Sequence, residues 1–325
     1  MITRRLRATL ATVLALSVSS CINLDAFFFN PRRIATGSDY TLQDYPANWP
    51  ANLRIDLANV ERLELRADDG TSVFAAIARQ PNATQVATVL YHHGNASNID
   101  GYWNRVAMLY DMGVNVIAYD YPGYGRTPGS PSEDGIYRSA RATYAYLQSP
   151  VSGINPQVIF HYGFSLGSAP ATYLAWSNLS AGLILEAPFT NVAALAADGS
   201  LVVPSSFVMS HRFDNKSRIR LAAQRAARGL LLFHGTADDF VQTSLGIELF
   251  ETMCREPLTN SGTLALIQDA GHGNVPCSNH DANPCIPADA SSLYQTTLRA
   301  FLATPPAAVG MRRCTRLPAA PPSGS

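Results

Sequence analysis

The residues best suited to covalent chemistry lie in the run Gly163-Phe164-Ser165-Leu166-Gly167, which follows the apolar stretch 158–162 and precedes the helix-like Ser168-Ala169-Pro170-Ala171-Thr172-Tyr173. A serine held on a sharp strand-to-helix turn has strained backbone dihedrals, so the flanking positions must lack bulk, which Gly163 and Gly167 supply. Such a turn lifts the Ser165 hydroxyl above a sheet and aims the N–H of Leu166, at a helix N-terminus, toward any oxyanion that forms there. The pentapeptide alone also arises by chance in glycine-rich loops; the strand before it and the helix after it make it a candidate nucleophile. The chemistry would be attack of the Ser165 oxygen on an acyl carbonyl.

A serine hydroxyl is a poor nucleophile at neutral pH, so a base must take its proton and a third group must orient the base. Both are expected downstream, the acid first. After the apolar run 230–233 stands His234-Gly235-Thr236-Ala237-Asp238-Asp239. Asp238 is the candidate acid, with Asp239 the neighbouring alternative and Glu186 a more distant one. After the run 264–267 comes Gln268-Asp269-Ala270-Gly271-His272-Gly273-Asn274, in which small residues let the loop carry an imidazole over the serine. Of the seven histidines only His272 and His280 follow the acid, and His272 is the candidate base. His93, His161 and His234 sit in or at the ends of strand-like runs, where hydrogen-bonded packing is the expected role. A second oxyanion donor would come from the loop after 87–91, where Gly94 permits close approach and the Asn95 N–H is the candidate beside that of Leu166; an ordinary glycine turn is the simpler reading of the same residues.

Positioning these groups requires parallel strands joined by helices. The runs 73–78, 87–91, 114–119, 158–162, 182–185, 230–233 and 264–267 are apolar without alternation, the mark of strands buried on both faces. The fold class expected is α/β, a mostly parallel central sheet flanked by helices, with the candidate residues at the C-terminal ends of the strands. The domain is expected over 53–303, with a small lid at about 187–229 containing Phe189, Leu201, Val202, Phe207 and Met209. The segment 21–52 reads as a loosely packed tether, and 304–325 as a Pro/Ala-rich, mostly unordered tail.

The chain's ends and bulk properties bear on location. Arg4, Arg5 and Arg7 precede an apolar run over 8–18, too short to span a bilayer, so 1–20 reads as a signal peptide. Val18-Ser19-Ser20-Cys21 resembles a bacterial lipobox, which implies lipidation of Cys21. With Ile22 following, the expected location is the bacterial cell envelope, lipid-anchored at an outer membrane and facing the periplasm. Cys254, Cys277, Cys285 and Cys314 then form an even set in an exported chain, and the favoured pairing is Cys277 with Cys285 and Cys254 with Cys314. Zinc held by Cys277, His280 and Cys285 is the competing reading, weakened by a missing second ligand pair. Lys+Arg and Asp+Glu both total 24 in 325 residues, so no field of one sign exists to gather nucleic acid.

Taken in order, His93-Gly94-Asn95-Ala96, Asp120-Tyr121-Pro122-Gly123-Tyr124-Gly125, the Ser165 pentapeptide, Ala187-Pro188-Phe189-Thr190, Phe213-Asp214-Asn215, His234 to Asp238, and Gly271-His272-Gly273 resemble the alpha/beta-hydrolase branch that includes eukaryotic protein depalmitoylases and bacterial relatives. The resemblance runs from about 60 to 302. It implies an alpha/beta-hydrolase fold, a Ser165–His272–Asp238 triad, no metal or organic cofactor, and a small-molecule acyl substrate. The 120–125 run resembles a structural turn of that branch and carries no chemical role. Thr127, where relatives often have serine, and the cysteine-bearing loop 277–285 depart from the pattern. Within the same fold a peptidase or amidase would use the same triad, and a non-catalytic binding lipoprotein is the third class.

Overall fold

The structure, a computed structural model, describes residues 29–197, 212–258, 260–277, 290–303 and 312–317. Runs rich in Val, Ile, Leu and Tyr become strands because their branched and aromatic side chains pack well on a pleated surface covered on both sides. In chain order the elements are β1 (Asn30–Pro31), β2 (Val60–Arg66), β3 (Ser72–Ala78), β4 (Thr88–His92), β5 (Ala96–Ser97), α1 (Trp103–Tyr110), β6 (Asn115–Tyr119), α2 (Glu133–Gln148), β7 (Ile159–Phe164), α3 (Ser168–Ser177), β8 (Gly182–Glu186), α4 (Val192–Ala197), α5 (Asn215–Arg225), β9 (Leu230–Gly235), α6 (Thr243–Met253), β10 (Gly262–Ile267), α7 (Leu293–Ala303) and β11 (Cys314–Leu317).

Nine strands form one sheet in the order β11-β10-β9-β8-β7-β4-β6-β3-β2. The pairs from β6 through β4, β7, β8, β9 and β10 to β11 are parallel, and β3 runs antiparallel to both β6 and β2. Alternate strand residues feed two cores. Val89, Tyr91, Phe160, Tyr162 and Phe233 pack with α1 and α7 on one face, whereas Leu90, Ile159, Leu183 and Leu232 pack with α2, α3, α5 and α6 on the other. This is the alpha/beta-hydrolase architecture expected, with strand ends within about two residues of the apolar runs.

Three expectations need correction. Tyr40, Leu42 and Trp49 are buried, so the described part of the 21–52 segment is part of the folded body. Backbone N–H groups of Thr41 and Leu42 donate to the Asp100 carboxylate, and Arg126 pairs with Asp39, which is why this strap lies flat on the domain. The expected unordered tail contributes β11, which pairs in parallel with β10 and is tied to the end of α6 by the Cys254–Cys314 disulfide. At both ends of the expected lid, the described residues belong to the core: Phe189 and Phe213 are buried, and the Asn215 amide donates to the Ser168 hydroxyl and the Phe189 carbonyl, fastening α5 to α3. Leu201, Val202, Phe207 and Met209 lie outside the described residues, as do residues 1–20, Cys21, His280 and Cys285. Cys277 is disulfide-bonded to a partner outside the described residues, which argues against its serving as a zinc ligand.

Candidate active site

Ser165 follows the last residue of β7 directly and has φ 53°, the left-handed conformation that a side chain rarely takes. The glycines around it are dictated by contact. A Cβ on Gly163 would stand 2.4 Å from the Gly167 carbonyl oxygen, and one on Gly167 would stand 2.0 Å from the His92 carbonyl oxygen at the end of β4. The chain can therefore double back into α3 only where those two positions are bare. α3 begins at Ser168, so Pro170 sits in its first turn, where a missing N–H costs no helical bond.

His272 reaches Ser165 from β10, three strand positions away, because its loop is folded back over the loop leaving β9. Thr236 N–H donates to the Ile267 carbonyl at 3.0 Å, Ala237 N–H to the Ala270 carbonyl at 3.1 Å, and Asp269 N–H to the Thr236 hydroxyl at 2.8 Å. A Cβ on Gly235 would lie 2.0 Å from the Ala270 carbonyl, so Gly235 makes this crossing possible. His272 Nε2 lies 2.8 Å from Ser165 Oγ and Nδ1 lies 2.9 Å from Asp238 Oδ2. A buried carboxylate facing Nδ1 requires the proton there, which leaves Nε2 bare to accept from the serine hydroxyl.

Asp238 is held from both sides. Its Oδ1 accepts from the backbone N–H groups of Phe240 and Val241, and its Oδ2 is 3.2 Å from His234 Nε2. Burial alone would raise its pKa, but hydrogen bonds from His234, His272 and the Val241 N–H outweigh that and hold the carboxyl well below the usual carboxylate range. The competing acids are elsewhere: Asp239 is exposed, and Glu186 is buried against Arg105, whose guanidinium donates to both of its oxygens at 2.7 Å.

Asn95 and Gly94 lie in the loop after β4, beside the elbow. A Cβ on Gly94 would meet the Tyr102 hydroxyl at 2.7 Å and the Phe164 ring at 3.0 Å, so the close approach read from the glycine is present. Sequence reasoning missed what holds this loop. Tyr121 donates to the His93 carbonyl at 2.7 Å, and Tyr124 donates to the Asn95 backbone carbonyl at 2.8 Å and to Asn95 Oδ1 at 2.9 Å. The 120–125 turn thus sets the backbone orientation on which the Asn95 N–H depends; paired tyrosines bracketing a Pro-Gly turn were the available signal. Asp120, fully buried, accepts from the Tyr40 hydroxyl at 2.6 Å and the Ile99 N–H at 3.0 Å. The Thr127 hydroxyl accepts from Phe74 N–H and donates to the Asp120 carbonyl, so threonine fastens the turn to β3.

The other histidines divide by environment. His93 Nδ1–H donates to the Gly94 carbonyl, and its ring lies 4.1 Å from that of Tyr121. His161 was expected to be hydrogen-bonded and is not: both ring nitrogens are buried without a partner, and burial lowers its pKa to about 3. A cleft of about 580 Å³ is lined by Phe164 and Gly273, the chain neighbours of Ser165 and His272, together with Arg105, Tyr102 and, from the N-terminal strap, Asp44 and Tyr45 among others. Among the described residues no three His, Cys, Asp or Glu side chains converge as a metal site would need.

Comparison with known proteins agrees with the fold. The profile of the family described as serine aminopeptidase, S33, matches residues 83–227. Alpha/beta hydrolase domain-containing protein 17B of Xenopus tropicalis is 30% identical over 247 residues, 74% of this chain and 78% of the relative, and the YfhR protein of Escherichia coli strain K12 is 27% identical over 220 residues, 66% of this chain and 74% of the relative. Among solved structures, the esterase Pf2001 of Pyrococcus furiosus superposes with a TM-score of 0.60 at 19% identity, covering 85% of this chain and 97% of that one. The chain belongs to the alpha/beta-hydrolase superfamily. It is a hydrolase.

Proposed function

We propose that the chain hydrolyses carboxylic esters or thioesters through an acyl-enzyme on Ser165. The observation that carries this reading is the unbroken relay from Ser165 Oγ to His272 Nε2 at 2.8 Å and from His272 Nδ1 to Asp238 Oδ2 at 2.9 Å. In the scheme, Ser165 Oγ bonds to the acyl carbon as its proton passes to His272 Nε2. The carbonyl oxygen, now negative, is received by the N–H groups of Leu166 and Asn95. The C–O or C–S bond breaks, His272 returns the proton to the leaving atom, and the acyl group stays on Ser165. Water then repeats the sequence: it gives a proton to His272 and bonds to the acyl carbon, and the serine oxygen departs with that proton.

The Pyrococcus likeness supports an esterase reading at the level of fold, while the match to the S33 family favours an amidase or aminopeptidase acting through the same relay. Purified protein offered a fluorophosphonate probe should label at a single serine, with labelling abolished in Ser165→Ala. That variant should lose on the order of 10⁶ in kcat on p-nitrophenyl and thioester substrates. Undiminished turnover by Ser165→Ala would end the proposal, and turnover confined to aminoacyl amides would select the peptidase reading.

A further inference from the structure

Arg105, on α1, is a buried charge to which the acyl-transfer scheme gives no task. Its side chain is 9% exposed and that of its partner Glu186 is 0% exposed. Exchanging a buried ion pair for apolar side chains of similar volume is often neutral or stabilising, so stability alone is a weak reason for two charges to be here. Their contacts suggest another. One guanidinium nitrogen donates to both Glu186 oxygens, and the other donates to the Gly273 carbonyl at 2.7 Å. The guanidinium also lies 4.0 Å from the centroid of the Phe164 ring. Gly273 follows the proposed base, and Phe164 precedes the proposed nucleophile. One planar group therefore touches both chain segments whose separation sets the His272–Ser165 distance.

Glu186 makes the anchor rigid. It ends β8, between the strands that carry the nucleophile and the acid, and it also accepts from the Tyr162 hydroxyl at 2.6 Å, which lies 2.9 Å from the Tyr294 hydroxyl of α7. The orientation of Arg105 is thus set by the sheet and not by the loop it holds. We propose that Arg105, fixed by Glu186, is a positioning residue that pins the Gly273 carbonyl and so keeps His272 within proton-transfer distance of Ser165. This rests on the Ser165–His272 reading above. Because the pair is neutral as a unit, its action on the imidazole is geometric, and it belongs in kcat more than in KM.

Two variants test it against a plain structural role. Lysine in Arg105→Lys keeps the charge for Glu186 but lacks the planar fork that serves two acceptors in fixed directions. It should lose about 10- to 100-fold in kcat, the scale of a misplacement near 1 Å. KM should stay within about threefold and the melting temperature should be little changed. The double variant Arg105→Met with Glu186→Met removes both charges; it should stay folded and fall in kcat to a similar degree. A folded double variant with kcat within about twofold of the parent would overturn the proposal. Should the double variant not fold, Arg105→Lys decides alone: parental kcat overturns, and reduced kcat at unchanged melting temperature supports. Ser165→Ala separates the two levels, because a fully active methionine pair beside a dead Ser165→Ala rejects Arg105 only, whereas an active Ser165→Ala rejects the triad.

Discussion

Asp238 uses its two oxygens differently. Oδ1 takes two backbone N–H groups and fixes the carboxylate plane, leaving Oδ2 to face His272 Nδ1, with His234 Nε2 alongside. His234 also lies 2.9 Å from the Val241 carbonyl, an acceptor that requires the proton on Nε2. Asp238→Asn keeps the shape but can present an amide N–H to Nδ1, which favours the imidazole tautomer unable to accept from Ser165. A loss of about 10⁴ in kcat with little change in KM is expected from steady-state kinetics. The same carboxyl links to stability. Its folded pKa lies below the unfolded value, so the stabilisation it gives is complete above the unfolded pKa and is lost as pH falls toward the folded one. Strand-end position ranked Asp238 ahead of Asp239 and Glu186, but the partners that separate the three, His272 for Asp238 and Arg105 for Glu186, come only from the fold.

Between elements, the elbow and the β4 end form a single joint. With the Gly167 position 2.0 Å from the His92 carbonyl, Gly167→Ala must push α3 off the sheet or pull β4 down. We expect a loss of about 3 kcal/mol or more in unfolding free energy, at the upper end for overpacking. Denaturant titration measures this, and fluorophosphonate labelling should weaken in parallel. The central strands were legible because both faces are apolar. The two edge strands were not: β2 has no fully buried residue, its partly buried Val60, Leu63 and Leu65 standing among charged neighbours, and β11 is four residues inside a Pro- and Ala-rich stretch. β11 pairs where it does through β10 and the Cys254–Cys314 bridge, and partners distant in the chain leave no local pattern.

Across the whole molecule, the two-sided sheet puts polar groups where water cannot follow. His161, in the middle of β7 and flanked by the His92 and Tyr144 rings, is one such case, with neither ring nitrogen partnered. Burial holds its pKa at about 3 against 6.5 for the free side chain. Between those values the unfolded chain binds the proton more readily, so the contribution of neutral His161 to stability is complete above 6.5 and is lost as pH falls through this window. The slope is on the order of 1.4 kcal/mol per pH unit for one such group. His161→Phe should flatten the decline between pH 6.5 and 4.5, read as the difference in urea midpoints at the two pH values. An unchanged slope would place the acid sensitivity at other groups.

At this scale the division between chain and fold is plain. Local residue types determined the strand cores, the glycine-flanked serine turn, and the strand-end loops that carry Asp238 and His272, because each is written in a few consecutive residues whose bulk or polarity admits one geometry. Tertiary structure alone decided that Glu186 serves Arg105, that Tyr121 and Tyr124 hold the Asn95 loop, that residues 44–45 wall the cleft, and that His272 is folded back across the β9 loop. These depend on distances between segments far apart along the chain, and such distances exist only once the sheet has fixed which ends lie side by side.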